Sequence, residues 1–384
     1  MNGFNQLSEY AEVDVEKRRQ IELLMRQTMV SARLANIQDN EKYMARYAEV
    51  DEFMNFEDSS VLQSDHVKVC PECGRHFSRE ENFCPECLTS LKCISHKPSI
   101  RNITTKPHIT CSGSGEAENI LSNESIRKIN DFRFTMDDFN MIARSIKAQA
   151  FEYMDRLIRD NSIDLDDLDI LDKVLLFAKS FVSVEYKSYG RDLGYFEFNR
   201  IFIDDRQTKS LQITTIIHEL THFLLKEILV HVVCRILDVS KNKHVEAAVT
   251  YILTSSILNR LIDEYAAHSV EGRFTIFGYQ DYSSFIALQD EIDEEHVEIA
   301  KTIANTFSIH IKKLLEGFLD WDLREEIKEQ FLSDTLERPD YSQLAFESCS
   351  RLSDEGFLKA IWLILSEGFK DIDADVLDSY VKEL

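Results

Sequence analysis

Apolar side chains recur at helical spacing over most of the chain. In the first 66 residues, Ile21, Leu24, Met25 and Met29 repeat at intervals of three and four, and Gly and Pro are nearly absent. This spacing places the apolar side chains on one face of a helix. The pattern therefore predicts a helical N-terminal segment over residues 1–66.

The helical pattern returns at about residue 125 and is then interrupted. Thr135 or Asp137 is a candidate cap for a helix that starts at Met136. Residues 181–186 and 195–204 are instead rich in β-branched and aromatic side chains, with glycines between them, which predicts two strands joined by a turn. The predicted helices cover residues 136–157, 165–181, 209–238, 243–270 and most of 276–384. The predicted fold class is mainly α with a small β-sheet, an α+β arrangement.

Composition divides the chain into five regions. One stretch is rich in Ser, Thr, Gly and Pro without any period, which predicts a mobile linker. The regions are a helical segment at 1–66, a cysteine cluster at 67–97, the linker at 98–124, a core with both strands at 125–275 and an acidic helical region at 276–384.

The charge of the chain limits its partners. There are 44 basic and 68 acidic side chains, a formal net charge of −24. Because such a protein repels phosphate backbones, the charge argues against a broad nucleic-acid-binding surface. No secretory signal pattern opens the sequence and no run of about 18 apolar residues occurs, so we expect no membrane association and a cytoplasmic location.

Four of the eight cysteines form two C-x-x-C pairs, Cys70 with Cys73 and Cys84 with Cys87. Each pair can offer two thiolates from one tight turn, and two facing turns complete the tetrahedral four-sulfur geometry of structural zinc. The pattern resembles the short prokaryotic zinc ribbons of the form CPxCG…FCPxC. The sequence therefore predicts one structural zinc ion in residues 67–97.

A second constellation is the HExxH sequence formed by His218, Glu219 and His222. Residues four apart lie on one helix face, so both imidazoles can reach one zinc ion. Glu219 lies beside that ion and can accept a proton from a water molecule. The surrounding positions are apolar, which places this helix in a core, where three ionisable side chains are costly unless a metal uses them.

A catalytic zinc site needs a third protein ligand. The extended metzincin pattern fails, because Leu225 and Ile228 stand where Gly and His are required. Our first choice is Glu264, which an antiparallel return of the next helix could bring back to the histidines. His268 shares its face and could support a ligand histidine from behind. The alternatives for the third ligand are His244, Glu246 and His268 itself.

Three segments together resemble the gluzincin metallopeptidases, most closely the compact ImmA/IrrE-like members. They are Gly194–Asp204, the His-Glu-Leu-Thr-His run that ends at His222, and Glu264-Tyr-Ala-Ala267, an E-x-x-A motif. The resemblance implies that His218, His222 and Glu264 bind zinc and that Glu219 is the base. In zincins an edge strand above the active helix holds the peptide, and the strand at 199–204 is the candidate here.

The resemblance implies a zinc-dependent peptidase that cuts a specific intracellular protein, with a regulatory protein as a further partner. Two alternatives remain open: a non-catalytic scaffold stabilised by zinc, and a SprT-like protease associated with DNA. Catalysis also needs a donor that stabilises the oxyanion. Tyr265, His231, His244 and Tyr251 are equal candidates for that donor.

Overall fold

The computed structural model describes the backbone of three short strands and most of the chain from residue 100 onward. The described ranges are 68–69, 76–77, 92–93, 100–106, 108–114, 119–186, 194–274, 283–319, 321–334 and 351–384. The chain divides into two compact units, Met1–His96 and Lys97–Leu384. No helix of the described ranges is long and apolar enough to cross a membrane.

In the first unit the described residues form a small antiparallel sheet. Its strands are β1 (Lys68–Val69), β2 (His76–Phe77) and β3 (Lys92–Cys93), in the order β2-β1-β3. The four cysteines of the two C-x-x-C pairs lie outside the described residues, so the zinc-ribbon expectation stays a prediction.

The second unit is helical with one three-stranded sheet, so the predicted fold class is confirmed. The strands are β4 (Ser183–Tyr186), β5 (Gly194–Glu197) and β6 (Arg200–Ile203). The described helices are α1 (Asn123–Asp131), α2 (Met136–Asp160), α3 (Ile170–Lys179), α4 (Lys209–Leu237), α5 (Lys243–Ser255), α6 (Ile257–Phe274), α7 (Ser283–Gln289), α8 (Glu294–Leu315), α9 (Trp321–Ser333), α10 (Asp354–Asp371) and α11 (Ala374–Glu383).

Helix α4, which we call the motif helix, carries the HExxH sequence through the centre of the second unit. It is 29 residues long and nearly all of its side chains are buried, as its apolar pattern indicates. Its first turn is capped by the Thr208 hydroxyl, which accepts the amide of Leu211. It ends at Asp238, whose left-handed backbone (φ 59°) stops the helix.

The predicted helix over residues 243–270 is two helices. Ser256 is extended, and its hydroxyl accepts the backbone amide of Asn259, which caps the start of a new helix. We call α6 the return helix, because its pairings with the motif helix show that it packs antiparallel to that helix. This break, which apolar spacing does not signal, allows the second half to turn back.

The β-region also differs from the prediction of two strands. The second run folds back on itself at Phe198 and Asn199, which both have positive φ (39° and 65°), and so becomes the hairpin β5–β6. Such a two-residue turn matches the twist of its strands, but without Gly it lacks the usual sequence signal. The sheet order is β4-β6-β5, with β6 parallel to β4, so β6 is central and β4 and β5 are the outer strands among those described.

Strand β5 lies directly against the motif helix at Gly194. A Cβ atom there would come within 2.5 Å of both the Phe202 carbonyl oxygen and the Thr215 side-chain methyl. Only glycine allows this approach. The close contact holds β5 beside the helix that carries the histidines.

The predicted linker and the predicted acidic region both contribute to the core of the second unit. Ile100 and Ile109, from the linker, are 1% and 3% exposed and belong to the same apolar cluster as the motif helix. The acidic region supplies Phe307 and Leu365 to that cluster, both fully buried. The described part of residues 125–275 and the described helices after it therefore share one hydrophobic core.

Candidate metal centre

The motif helix and the return helix bring three predicted ligands together. The Nε2 atoms of His218 and His222 lie 3.2 Å apart, and Glu264 Oε2 lies 3.7 Å from His218 Nε2. The three ligand atoms all lie within 4.8 Å of one another. The i, i+4 spacing of the histidines and the antiparallel return helix produce this geometry.

A carboxylate lies close to the Nδ1 atom of each of the two histidines. His218 Nδ1 lies 2.9 Å from Glu271 Oε2, and His222 Nδ1 lies 3.0 Å from Asp263 Oδ1. The second contact has an ion-pair distance without hydrogen-bond alignment. Carboxylates in these positions favour a proton on Nδ1, which leaves Nε2 as the metal-binding nitrogen.

The donor set fits a divalent metal ion. With Nδ1 protonated in both rings, the two Nε2 lone pairs and the Glu264 carboxylate would repel one another, so this point of the structure favours positive charge, from protons or from a metal ion. The pKa of His222 shows the same preference for positive charge. Burial lowers the pKa of His222, but the charges of Asp263 and Glu264 outweigh burial and raise it to about 9. Two imidazoles and one carboxylate are a ligand set typical of catalytic zinc.

His268 lies behind this centre, as its helical spacing from Glu264 indicates. Its Nδ1 is 3.2 Å from Glu271 Oε2, the same oxygen that faces His218, and its ring centroid is 4.5 Å from that of His218. Glu271 thus bridges the two imidazoles. His218, His268 and Glu271 are a second group whose ligand atoms lie within 4.8 Å, but it uses the opposite nitrogen of His218 and is more deeply buried.

Glu219 lies beside the histidines at the wall of the cleft described below. Its side chain is 7% exposed. Burial raises its pKa above the ordinary value, and the nearby imidazoles oppose this shift only in part. A carboxylate with a raised pKa is a better proton acceptor, which suits a general base.

A cleft of about 690 Å³ opens onto this centre. Strand β5 forms one wall of the cleft. Among the described residues, the other walls are formed by helices α5 and α11 and by one face each of the motif helix and the return helix. The lining residues outside the metal centre include Phe196, Phe198, Lys226, Arg260 and Tyr380. The outer strand along the cleft is thus β5, not the 199–204 strand that the sequence indicates, because β6 is central.

The other ligand candidates lie elsewhere. Glu246 accepts from Asn199 Nδ2 at 2.8 Å and lies 3.4 Å from the Lys241 ammonium. Neither Glu246 nor His244 is among the described residues that line the cleft. Of the oxyanion candidates, Tyr265 packs against Phe285 and Tyr251 against Tyr380; none of the four is among the described lining residues.

Sequence reasoning missed Asp263 and Glu271. A signal for Glu271 was present, because it follows Glu264 by seven residues and His268 by three and so shares their helix face. Comparison of the chain with protein-family models, with curated proteins and with solved structures gives no match. The candidate metal centre therefore rests on the HExxH sequence and on the geometry of its side chains.

Proposed function

We propose that this chain is a zinc-dependent peptidase that hydrolyses a peptide bond in a specific intracellular protein. One observation carries the proposal: His218 Nε2, His222 Nε2 and Glu264 Oε2 converge within 4.8 Å at the wall of a cleft that Glu219 also lines. A structural zinc ion at Cys70, Cys73, Cys84 and Cys87 is proposed from the cysteine spacing alone.

Each side chain has a distinct task in this proposal. A zinc ion at this centre would supply Lewis acidity, which lowers the pKa of water and polarises a carbonyl. Glu219 accepts the proton of the attacking water and transfers it to the leaving amine. Glu271 accepts the Nδ1 proton of His218, and the charge of Asp263 favours an Nδ1 proton on His222, so that each Nε2 is left for the metal.

The cleft wall suits an extended peptide. Strand β5 pairs with β6 along one edge, and none of the other described strands pairs with its opposite edge. Backbone N–H and C=O groups on such an edge can bind an extended peptide as an added strand. This feature supports a peptide substrate over a small carbonyl compound.

Metal analysis combined with Glu219→Gln tests the proposal. The full chain should bind about two zinc ions, and Cys70→Ser and His218→Ala should each lose one. Glu219→Gln should keep both ions and lose cleavage of a peptide library, because only the base is removed. Retained cleavage would refute the role of Glu219, and full zinc binding without cleavage by the parent would support the scaffold alternative.

A further inference from the structure

Lys226 is a buried cation on the cleft wall. It follows His222 by one helix turn, is 2% exposed and lines the cleft. Its ammonium donates to the amide oxygen of Asn199 and lies 5.2 Å from the centre of the Phe196 ring. Within the described residues, it forms no ion pair with a carboxylate.

An ammonium in this position is costly, because the nearby carboxylates of Glu246 and Glu227 offset the cost of burial only in part. Buried charges in proteins are normally paired with an opposite charge, because the loss of hydration is otherwise uncompensated. Burial lowers the pKa of Lys226 to about 8, so the side chain still carries its charge at neutral pH. The Asn199 amide accepts one of its three hydrogens and in turn donates to Glu246, so that carboxylate acts on the ammonium without a direct ion pair.

Arg260 lies at the same end of the cleft. His222 pairs with Asp263, and His218 pairs with Glu264 and Glu271, which defines the antiparallel register of the motif and return helices. One further turn along the motif helix is Lys226, and the return helix at that level is at Arg260. Arg260 also lines the cleft, and it too forms no ion pair with the described carboxylates.

We propose that Lys226 and Arg260, which we call the cation pair, bind a carboxylate of the substrate one helix turn from the metal centre. The inference rests on the proposed function and names its substrate class: peptides with a carboxylate next to the scissile bond. That carboxylate is an Asp or Glu side chain or the C-terminus. One turn is about 5.4 Å, close to the distance between a scissile carbonyl and such a group.

The carboxylates of the cleft argue against a doubly charged anion. Outside the metal centre, the described charged residues that line it are the cation pair and two carboxylates, Glu197 and Glu383. The two carboxylates would repel a dianion such as a phosphate ester more strongly than a carboxylate. Guanidinium groups also match carboxylates in bidentate geometry.

A matched set of peptide hydroxamates tests the inference by calorimetric titration into the zinc-loaded chain. The hydroxamate group chelates zinc, the adjacent side chain is Glu or Gln, and the C-terminus is a free acid or an amide. We expect the acidic members to bind about 10- to 100-fold more tightly than the neutral ones. Dependence on the side chain or on the terminus identifies the source of the carboxylate.

Variants of the cation pair complete the experiment. Lys226→Met or Arg260→Gln should abolish the preference for acidic members. Arg235→Gln, on the motif helix outside the cleft, is the control and should keep that preference. Zinc-free Lys226→Met should melt at or above the parental temperature, because a buried charge without an ion-pair partner among the described residues is removed. A clear decrease would indicate a structural lysine.

Equal affinity for acidic and neutral members, or a preference that survives both substitutions, would overturn the inference and leave the proposed function intact. If no hydroxamate binds, the zinc site itself fails and the inference fails with it. The two failures are therefore distinguishable.

Discussion

Glu271→Gln isolates the contribution of the carboxylate behind the metal centre. Glu271 is 2% exposed, and its Oε2 lies 2.9 Å from His218 Nδ1 and 3.2 Å from His268 Nδ1. Glutamine keeps the shape of the side chain and an oxygen acceptor but removes the negative charge. The substitution should therefore weaken the metal site without creating a cavity.

The expected size follows from the hydrogen bond to His218. A bond to a charged acceptor contributes about 1.5–3 kcal/mol, and a neutral one about 0.5–1.5 kcal/mol. The difference of about 1–1.5 kcal/mol corresponds to a roughly tenfold weaker zinc affinity. This lies at the lower end of the range of about 10–100-fold that is typical of residues that support metal ligands.

Competition with a chromophoric zinc chelator measures this loss of zinc affinity. The titration uses a Cys70→Ser background, so that only the site at His218, His222 and Glu264 binds zinc. Asp263→Asn should lose less, because its contact with His222 lacks hydrogen-bond alignment and Asp263 is 22% exposed. Glu298→Gln is the control, because Glu298 is an exposed residue of α8 that pairs with Lys301. Unchanged affinity in Glu271→Gln, or a larger loss in Asp263→Asn, would refute the reasoning.

Three further predictions concern the scaffold. Gly194→Ala should destabilise the chain by about 1–3 kcal/mol in chemical denaturation, because its Cβ would lie 2.5 Å from the Phe202 carbonyl. Burial alone would raise the pKa of Glu227, but the Lys241 ammonium, together with His231, holds it at about 2, below the ordinary 4.5. This stabilisation therefore exists above pH 4.5 and is lost as the pH falls toward 2. Lys241→Met should cost about 3 kcal/mol at pH 7 and flatten the acid melting profile. Thr135→Ala should lose the capping box of α2, about 1 kcal/mol by thermal melting. If one of these variants is as stable as the parent, the stabilisation that we assign to the corresponding contact is refuted.

Local sequence spacing was enough to bring the two histidines together, because residues four apart on a helix share a face whatever surrounds them. Glu264 also follows from a pattern, once a second helix is assumed to return antiparallel. The break at Ser256 that permits this return depends on one hydroxyl cap and has no hydrophobic signature.

Contacts between segments that are distant along the chain could not be predicted from the sequence. The hairpin turn at Phe198 and Asn199 lacks glycine, so the strand order that makes β5 the cleft wall could not be read from composition. The placement of α11 against α5, which brings Tyr380 to the cleft, depends on packing over more than 100 residues of chain. Lys226 looks like one polar interruption of an apolar helix until its position in the cleft is known.

Anomalous diffraction at the zinc edge from crystals of the zinc-loaded full chain tests the central claim most directly. We predict a peak bonded to His218 Nε2, His222 Nε2 and Glu264, at zinc–ligand distances of about 2.0–2.2 Å, with a water molecule in the fourth position. The absence of a peak between these side chains, or a fourth protein ligand that closes the site, would contradict the account.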